Sequence, residues 1–483
     1  MTSLLTNLSW KFAERIASQA VSFVVSIILA RILDPSDYGA IAMVMIFVAL
    51  ANVISEGGFN SALIQKKGVD KLDYSTVFYF SIVFSLILYG ILYISAPYIS
   101  MFYGKGYEIL TPVLRVLGIQ VILFSVNSIQ RAYVSKNMMF KNFFWATLIG
   151  TIVSAIVGLS MAYLGYGIWA LVGQQLSMAL TNIVVLYIIT KKLPGLMFSF
   201  ERLHGLFGYG VKILGASLLV TAFLNLRSLV IGKIYSAKDL AFFDRGLQLP
   251  NLLVTNINSS IDAVLFPKMA QNQDDKFVIK QTCRNSIRFS SFIMSPLMIG
   301  MAACAEPLVR LLLTEKWLDS VPFLQLFCII YMFYPMHTAN MQAIKALGHS
   351  GTFLKLEIVK KTLEVISLLL VMHISVMAIA VNMVILTTIF TYVNAYPNIK
   401  LLSYTFKEQM MDIFPPIIMS SIMGIIVYAL GFFFQIADLW LLIIQVICGC
   451  SIYLTICFLT KNNETIYLYN LVRNKIHFKF YKL

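Results

Sequence analysis

A row of polar side chains interrupts an otherwise apolar segment of the chain, residues 240–267. Its members recur every three or four residues, which places them on one face of an α-helix. They are Asp244, Gln248, Asn251, Thr255, Asn258 and Asp262. Amides and hydroxyls of this kind suit a hydroxyl-rich solute such as a sugar. A seam between two membrane helices needs fewer polar groups, so a row along the whole segment favours a water-filled cavity.

Arginines form the second group of residues that could bind a ligand. The guanidinium stays charged and donates paired hydrogen bonds to a phosphate. Since burying a charge in hydrocarbon costs about 2.5–3.5 kcal/mol, such side chains face water or a partner. We therefore expect a cavity that attracts an anion. Its predicted binding residues are Arg15, Gln19, Arg115, Arg227, Arg245, Gln248, Asn251 and Asn258.

Three carboxylates, Asp244, Asp262 and Glu364, are candidates for binding a coupling ion, either H⁺ or Na⁺. Asp262 has no obvious local partner, whereas Asp244 could pair with the adjacent Arg245. Glu364 lies in a charged segment where two pairs at a spacing of four residues equally allow a structural role. These pairs are Glu357–Lys361 and Lys360–Glu364.

Catalytic and metal-binding patterns are absent from the sequence. It has no phosphate-cradling glycine loop, its five histidines are scattered, and its six cysteines have no metal-ligand or disulfide spacing. We therefore predict a transporter rather than an enzyme, without a metal or organic cofactor.

Long apolar segments make up almost the whole chain. Hydrophobic residues account for 59% and charged residues for 12% of the sequence, whereas soluble domains carry about 25% charged residues. About 14 segments approach the roughly 20 residues that a helix needs to cross a bilayer. We predict an all-α polytopic membrane protein with spans at residues 10–32, 39–56, 75–96, 109–131, 142–164, 167–190, 209–233, 240–267, 284–304, 320–343, 353–373, 375–396, 410–432 and 438–460.

The positive charge, +15 overall, is concentrated on one side of this predicted topology. We number each loop by the predicted span that precedes it. About 25 of the 37 lysines and arginines lie in the N-terminus, the even-numbered loops and the C-terminal tail, and about five lie in the odd-numbered loops. Because basic loops stay in the cytoplasm, we place both termini there and do not infer nucleic-acid binding. The basic tail, residues 461–483, is expected to lie on the anionic membrane lipids of the inner leaflet.

A weak internal repeat suggests two similar halves. Arg31-Ile32 followed by Asp37 corresponds to Lys233-Ile234 followed by Asp239. We predict six-helix lobes at residues 1–200 and 201–400, two further helices at 401–460 and the tail at 461–483. Because each repeat has an even number of helices, both lobes enter the membrane from the same side. We therefore expect a pseudo-two-fold axis along the membrane normal to relate them, with the substrate bound between them.

Several short motifs also resemble those of a known family. They include residues 29–39 (LARILDPSDYG), 58–67 (GFNSALIQKK) and 166–172 (YGIWALV), and the pair Asp244-Arg245-Gly246 and Leu249-Pro250-Asn251. Spread over residues 10–400, they resemble the Wzx-like oligosaccharide flippases of the multidrug/oligosaccharidyl-lipid/polysaccharide (MOP) exporter superfamily, in the branch with colanic-acid and teichuronic-acid exporters.

The resemblance implies a fold with two lobes and two extra helices. It implies that undecaprenyl-pyrophosphate carrying an oligosaccharide repeat unit crosses the bacterial inner membrane by alternating access. It further implies a polysaccharide polymerase and a chain-length regulator as partners acting next.

The alternatives to a flippase are a multidrug exporter and a membrane glycosyltransferase or polymerase. A multidrug exporter of the same fold would favour an acidic, aromatic cavity for cationic drugs, and the arginines argue against it. A membrane glycosyltransferase or polymerase often uses a large outer loop. The longest outer loops here, residues 96–108 and 305–319, are too short to form a substrate-binding domain.

Overall fold

The computed structural model describes the backbone of residues 2–190, 195, 197–434 and 436–460. Within these ranges, the side chains of residues 2–8, 12, 260 and 262–264 are not described. The predicted tail at 461–483 and the carboxylate of Asp262 therefore lie outside the described part. Every regular element in the described part is a helix, which confirms the all-α prediction.

Eighteen α-helices and one 3-10 helix follow one another along the described chain. They are α1 (Thr2–Ile32), α2 (Pro35–Glu56), α3 (Phe59–Gln65), α4 (Lys71–Tyr103), α5 (Leu110–Leu117), α6 (Ile119–Lys136), α7 (Phe140–Tyr163), α8 (Ile168–Thr190), α9 (Phe200–Ile234), α10 (Ala237–Gln271), α11 (Lys276–Ala303), α12 (Ala305–Leu313), the 3-10 helix (Glu315–Ser320), α13 (Val321–Met332), α14 (Tyr334–Ala346), α15 (Ser350–Val371), α16 (Val376–Leu402), α17 (Phe406–Phe433) and α18 (Asp438–Leu459).

Every predicted span lies, to within two residues, inside one of these helices or inside two consecutive ones, and several helices extend four to nine residues beyond the predicted bounds. In the described part, twelve helical segments are long and apolar enough to cross a membrane. Helices α10 and α15, of 35 and 22 residues, are not among the twelve. Both carry the polar or charged residues noted in the sequence, so the count of about fourteen spans stays a prediction.

Local sequence explains where the helices begin and end. Pro35 opens α2 at a position where its missing N–H is not needed. Gly57 ends α2 in the left-handed conformation with φ 56°, where its N–H donates to carbonyls of the last turn. Asp70 and Asp73 form a reciprocal capping box at the start of α4. These signals divide the apolar sequence into separate helices.

The first of two compact units comprises Met1–Ala241. Inside it, α4 packs against α5 and α6, while α8 packs against α5, α6 and α7. Helix α1 packs against α7, and α9 packs against α2, α3 and α4. The packing therefore groups α9 with the first unit, although the sequence repeat would begin a second lobe with it. The predicted lobes at 1–200 and 201–400 stay a prediction.

The second unit comprises Phe242–Leu483 and repeats the same internal scheme. Here α11 packs against α13 and α14, while α16 packs against α13, α14 and α15. Its largest described core combines α10, α11, α14, α16 and α17 around side chains such as Met269, Ile287 and Tyr404. The equivalent packing within each unit agrees with two halves built alike.

Ion pairs attach α17, the first of the last two helices, to α11. The Arg284 guanidinium lies 2.8 Å from the Asp412 carboxylate on α17. This carboxylate also accepts a 2.7 Å hydrogen bond from the Tyr404 hydroxyl. One turn away, the Lys280 ammonium lies 3.1 Å from the Glu408 carboxylate. Helix α18 packs against α17 and α12. The extra helices are thus an integral part of the second unit.

Candidate functional site

The predicted polar row lies on α10, and we call it the α10 face: Asp244, Gln248, Asn251, Thr255, Asn258 and Asp262. Gln248 and Thr255 are exposed, whereas Phe243 and Val254, on other sides of the helix, are buried. Lipid cannot hydrogen-bond to exposed amides and hydroxyls. This face therefore suits water or a polar ligand.

Two amides of the α10 face have different surroundings. The Asn251 Oδ1 accepts a hydrogen bond of 3.1 Å from the Tyr331 hydroxyl on α13. Asn258 is only 8% exposed, and its Oδ1 has no hydrogen-bond partner among the described residues. A buried polar atom without a partner costs about 1–3 kcal/mol. A ligand or a water molecule that donates a hydrogen bond to the Asn258 oxygen would therefore remove this cost.

Arg245 lies beside the α10 face rather than on it. It is 8% exposed, its guanidinium stands 5.1 Å from the centre of the Trp317 ring, and it donates a 2.6 Å hydrogen bond to the Gln248 Oε1. Arg245 also acts electrostatically on Asp244, but this hydrogen bond goes to Gln248. Arg245 therefore positions an exposed amide of the face.

A glycine allows α10 to lie close to α13. A Cβ added to Gly246 would fall 2.5 Å from the Phe323 Cβ and 2.8 Å from the Leu324 backbone nitrogen. Both distances are shorter than real carbon contacts. The absence of a side chain at Gly246 fixes the separation of these two helices and so the position of the α10 face.

The remaining predicted binding residues lie in the first unit. Arg15 and Gln19 on α1 and Arg227 on α9 are half-buried. Arg115 on α5 lies 4.3 Å from the centre of the Tyr93 ring and donates a 3.3 Å hydrogen bond to the Tyr93 carbonyl. Arg115 thus joins α5 to α4, which is a structural contact.

The predicted coupling carboxylates also differ in surroundings. On α15, Glu364 lies 3.0 Å from the Lys361 ammonium, and Glu357 lies 2.6 Å from the Lys360 ammonium. Both pairs are three residues apart, whereas the sequence suggested pairs four residues apart. The charges of Glu357, Lys360, Lys361 and Glu364 thus neutralise one another within α15, which also carries Lys355. Asp244 is half-buried on the α10 face.

A cavity of about 610 Å³ lies inside the first unit, and we call it the first-unit cavity. It is lined by parts of α1, α2, α3, α6, α7 and α8. The lining comes from the first half of α1, the end of α2 and the start of α7. The cavity therefore lies towards the end of the unit at which α1 begins.

Four ionisable side chains line the first-unit cavity in the described part of the chain. Lys11 and Arg131 are cations, and Glu14 and Glu56 are carboxylates. The ammonium of Lys11 lies 5.6 Å from the centre of the Phe140 ring, and the Arg131 guanidinium lies 6.0 Å from that of Phe143. In the part of the chain that the structure describes, no ion pair within 4.0 Å joins these four groups. Formal charge in the lining sums to zero at neutral pH.

Uncharged polar side chains also line the cavity: the hydroxyls of Ser128, Ser135 and Thr147 and the carboxamides of Asn60, Asn127 and Asn182. The three carboxamides differ from the hydroxyls in their unmet hydrogen bonds. Each has a buried Oδ1 without a hydrogen-bond partner among the described residues. This cavity was not predicted from the sequence. Its lining comes from six helices, and sequence periodicity does not specify which helices are neighbours.

Sequence reasoning also missed a buried polar network in the second unit. His337 Nδ1 lies 2.7 Å from the Asn394 Nδ2, and Asn340 donates a 2.7 Å hydrogen bond to the Gln409 Oε1. Asn398 in turn donates a 2.7 Å hydrogen bond to the Asn340 Oδ1. The polar residues at helical spacing on α14 and α16 could have indicated this network. The network joins α14, α16 and α17.

A family model described as polysaccharide biosynthesis protein matches residues 28–322, which is more than half of the chain. The succinoglycan biosynthesis transport protein ExoT of Rhizobium meliloti is 25% identical over 67% of this chain, and the match spans 65% of ExoT, just under two thirds. The teichuronic acid biosynthesis protein TuaB of Bacillus subtilis is 23% identical over 72% of each chain. The lipopolysaccharide biosynthesis protein WzxC of Escherichia coli is 20% identical over 88% of this chain and 87% of WzxC.

Solved structures with the same fold include the lipid II flippase MurJ in an inward closed conformation. It superimposes with a TM-score of 0.74 at 16% identity, covering 96% of this chain and all of MurJ. An inward-facing multidrug resistance MATE family transporter of the MOP superfamily gives a TM-score of 0.60, also at 16% identity, covering 80% of this chain and 96% of that transporter. These likenesses confirm the predicted MOP-type fold.

Proposed function

The chain belongs to the polysaccharide biosynthesis protein family, and we propose that it is a flippase for lipid-linked oligosaccharides. Its substrate would be an undecaprenyl-pyrophosphate-linked repeat unit of a surface polysaccharide. The protein would carry this unit across the bacterial inner membrane by alternating access. A lipid anchor, a pyrophosphate and a set of sugars need three different environments, and the proposal assigns each to a part of the chain.

The exposed polar α10 face is the observation that carries this proposal. A row of amides and hydroxyls along a helix in a membrane protein is costly unless it meets water or a polar ligand. Gln248 and Thr255 are exposed on this face, and Asn258 keeps a buried oxygen without a partner among the described residues. Sugar hydroxyls, which both donate and accept hydrogen bonds, match such groups.

Arginines would bind the pyrophosphate. We assign this role to Arg15 and Arg227, because each is half-buried on a long apolar helix and a guanidinium binds phosphate oxygens with paired hydrogen bonds. Gln19 lies one turn from Arg15 on α1. The undecaprenyl chain would remain in the bilayer while the headgroup crosses.

Coupling to H⁺ or Na⁺ would supply the energy, with Asp244 as the first candidate site. It lies on the α10 face, whereas Glu364 is already neutralised by Lys361. Asp262 shares the face by its spacing in the sequence, so it remains a second candidate. A polysaccharide polymerase and a chain-length regulator would receive the flipped unit in the outer leaflet.

Complementation of a deletion strain tests the proposal. We would compare wild type with Arg15→Gln and Arg227→Gln, and quantify both surface polymer and lipid-linked repeat units in the inner membrane. Each variant should insert normally and lose most polymer, with repeat units accumulating on the cytoplasmic leaflet. Glutamine keeps the polarity but removes the charge that binds the pyrophosphate.

Arg310→Gln is the matched control, because Arg310 lies 2.7 Å from Glu306 and 3.4 Å from Asp438 in a partly exposed ion-pair cluster. This variant should export polymer normally, since exposed pairs contribute only about 0–1 kcal/mol to stability. Unchanged polymer in the deletion strain, together with altered drug sensitivity, would reject the flippase in favour of a multidrug exporter. Normal export by both arginine variants would reject the site assignment alone.

A further inference from the structure

The first-unit cavity is a binding site that the α10 face does not explain. We propose that it holds a neutral sugar of the oligosaccharide before translocation, with Asn60, Asn127 and Asn182 as its hydrogen-bonding groups. This inference rests on the proposed function, because it assigns part of the same substrate to a second place in the chain.

The size of the cavity suits a sugar. Its volume of about 610 Å³ lies within the roughly 300–1,000 Å³ of small-molecule sites in proteins. Phe124, Phe140 and Phe143 line it along with the polar groups. Pockets that bind small molecules combine apolar and aromatic walls with a few placed polar groups. A sugar ring has the matching surface, with C–H groups on its faces and hydroxyls at its edge.

The charge of the lining argues against two other kinds of ligand. Lys11 and Arg131 are balanced by Glu14 and Glu56, so the described lining has no net charge at neutral pH. The two carboxylates would repel a pyrophosphate and so offset the attraction exerted by the two cations. A lipophilic cation would be attracted by the two carboxylates and repelled by the two cations. A neutral ligand with many hydroxyls can use all four groups as donors or acceptors.

The three carboxamides supply the specific hydrogen bonds. Each leaves a buried oxygen without a partner in the described part of the chain, at a cost of about 1–3 kcal/mol per atom. The last torsion of asparagine is broad and roughly two-fold, so each amide can present either its oxygen or its NH₂ group to a ligand. Asn60, Asn127 and Asn182 come from three helices, α3, α6 and α8. They can therefore surround a sugar ring.

The place of the cavity fits loading from the cytoplasm. Its lining residues lie near the start of α1 and α7 and towards the end of α2, α6 and α8. These helix ends share one side of the first unit. With the N-terminus in the cytoplasm, as the charge distribution predicts, this is the side on which lipid-linked sugars are assembled.

Ligand-induced thermal stabilisation of the purified full chain tests the inference. The probes are a neutral disaccharide and tetrasaccharide, inorganic pyrophosphate, and tetraphenylphosphonium as a lipophilic cation, each titrated against protein in detergent. A ligand that binds only the folded state raises the melting temperature in proportion to ln(1 + [L]/Kd). We expect the two sugars to raise the melting temperature of wild type, and pyrophosphate and the cation to leave this cavity empty.

Asn127→Ala and Asn60→Ala should each weaken sugar affinity about fivefold, the loss of one hydrogen bond. They lie on different helices, so one remains informative if the other fails to fold. Gln130→Ala is the matched control. Gln130 lies next to Arg131 on α6 and donates a 3.4 Å hydrogen bond to the Ile183 carbonyl, but it does not line the cavity. This variant should keep the wild-type sugar affinity.

Several results would overturn the inference. Absence of a sugar-dependent shift in wild type would reject sugar binding, and an unchanged affinity in both asparagine variants would reject this cavity. A shift by pyrophosphate or by the cation that disappears in Asn127→Ala would assign a different ligand class. Polymer export by the wild-type protein in cells reports on the proposed function separately. A protein that exports polymer but shows no sugar shift would therefore refute this inference alone.

Discussion

At the scale of single residues, the chain contains asparagines of two kinds. Asn258 is buried with an oxygen that lacks a partner in the described part. Asn340 is fully buried, donates to Gln409 at 2.7 Å and accepts from Asn398 at 2.7 Å. An amide whose hydrogen bonds are satisfied stabilises the fold, whereas an unsatisfied one destabilises it. The two residues should therefore respond oppositely to an apolar replacement.

Asn258→Leu should leave the melting temperature unchanged or raise it, because the costly unpaired oxygen is removed, yet it should lower polymer export. Asn340→Leu should lower stability by about 2 kcal/mol or more, because its partners lose their hydrogen bonds. Thermal unfolding in detergent and polymer yield in cells measure the two effects. A lower melting temperature for Asn258→Leu with normal export would make Asn258 a structural residue.

Residue-scale features were only partly predictable from the sequence. Spacing alone identified the α10 face, because every member is on one helix and the helical period is fixed. It could not foresee that Arg245 is buried against Trp317, or that Arg115 contacts Tyr93. These partners are on other elements, and their distances are set by tertiary packing. For the same reason the first-unit cavity, whose lining comes from six helices, was not predicted.

At the scale of elements, the length of the apolar segments correctly predicted where the helices lie. Each predicted span coincides with one or two observed helices, since about 20 apolar residues in a row are a strong signal. The breaks within spans were not predicted. Between α5 and α6, for example, the chain passes through Gly118 within one apolar segment. Such breaks depend on packing as well as on composition.

Helix separation gives an element-scale prediction. Gly246→Ala places a methyl group 2.5 Å from the Phe323 Cβ, so α10 and α13 must move apart. We expect a loss of stability of about 1–3 kcal/mol, as in other overpacked interiors, together with reduced export because the α10 face shifts. Thermal unfolding and polymer yield check both effects.

Gly215→Ala is the corresponding control on α9, where an added Cβ meets no atom within 4 Å. Alanine is the better helix former by up to about 1 kcal/mol, so this variant should be as stable as wild type or more stable. Equal stability of both glycine variants would mean that α10 and α13 are not held at this distance.

At the scale of the whole molecule, charge predicts orientation. Basic residues are concentrated in the N-terminus, the even-numbered loops and the tail, which the positive-inside rule places in the cytoplasm. A reporter that fluoresces only in the cytoplasm should therefore be active after Thr460. Alkaline phosphatase, which needs the periplasm, should be active when inserted at residues 104–106 and inactive at residues 272–275. The reverse pattern would invert the topology and place the first-unit cavity on the periplasmic side.

The polar composition of α10 and α15 has a consequence for biogenesis. Neither helix is apolar enough to be counted among the twelve candidate spans, and single charged residues at a helix centre already disfavour insertion by about 2.5–3.5 kcal/mol. To cross the bilayer, each must leave the translocon together with an apolar neighbour, such as α9 or α11 for α10. Membrane integration of the second unit is then a cooperative step in translation. If α11 is that neighbour, a ribosome stalled after α10 has left the exit tunnel but before α11 has left it would hold a chain whose α10 has not yet entered the lipid.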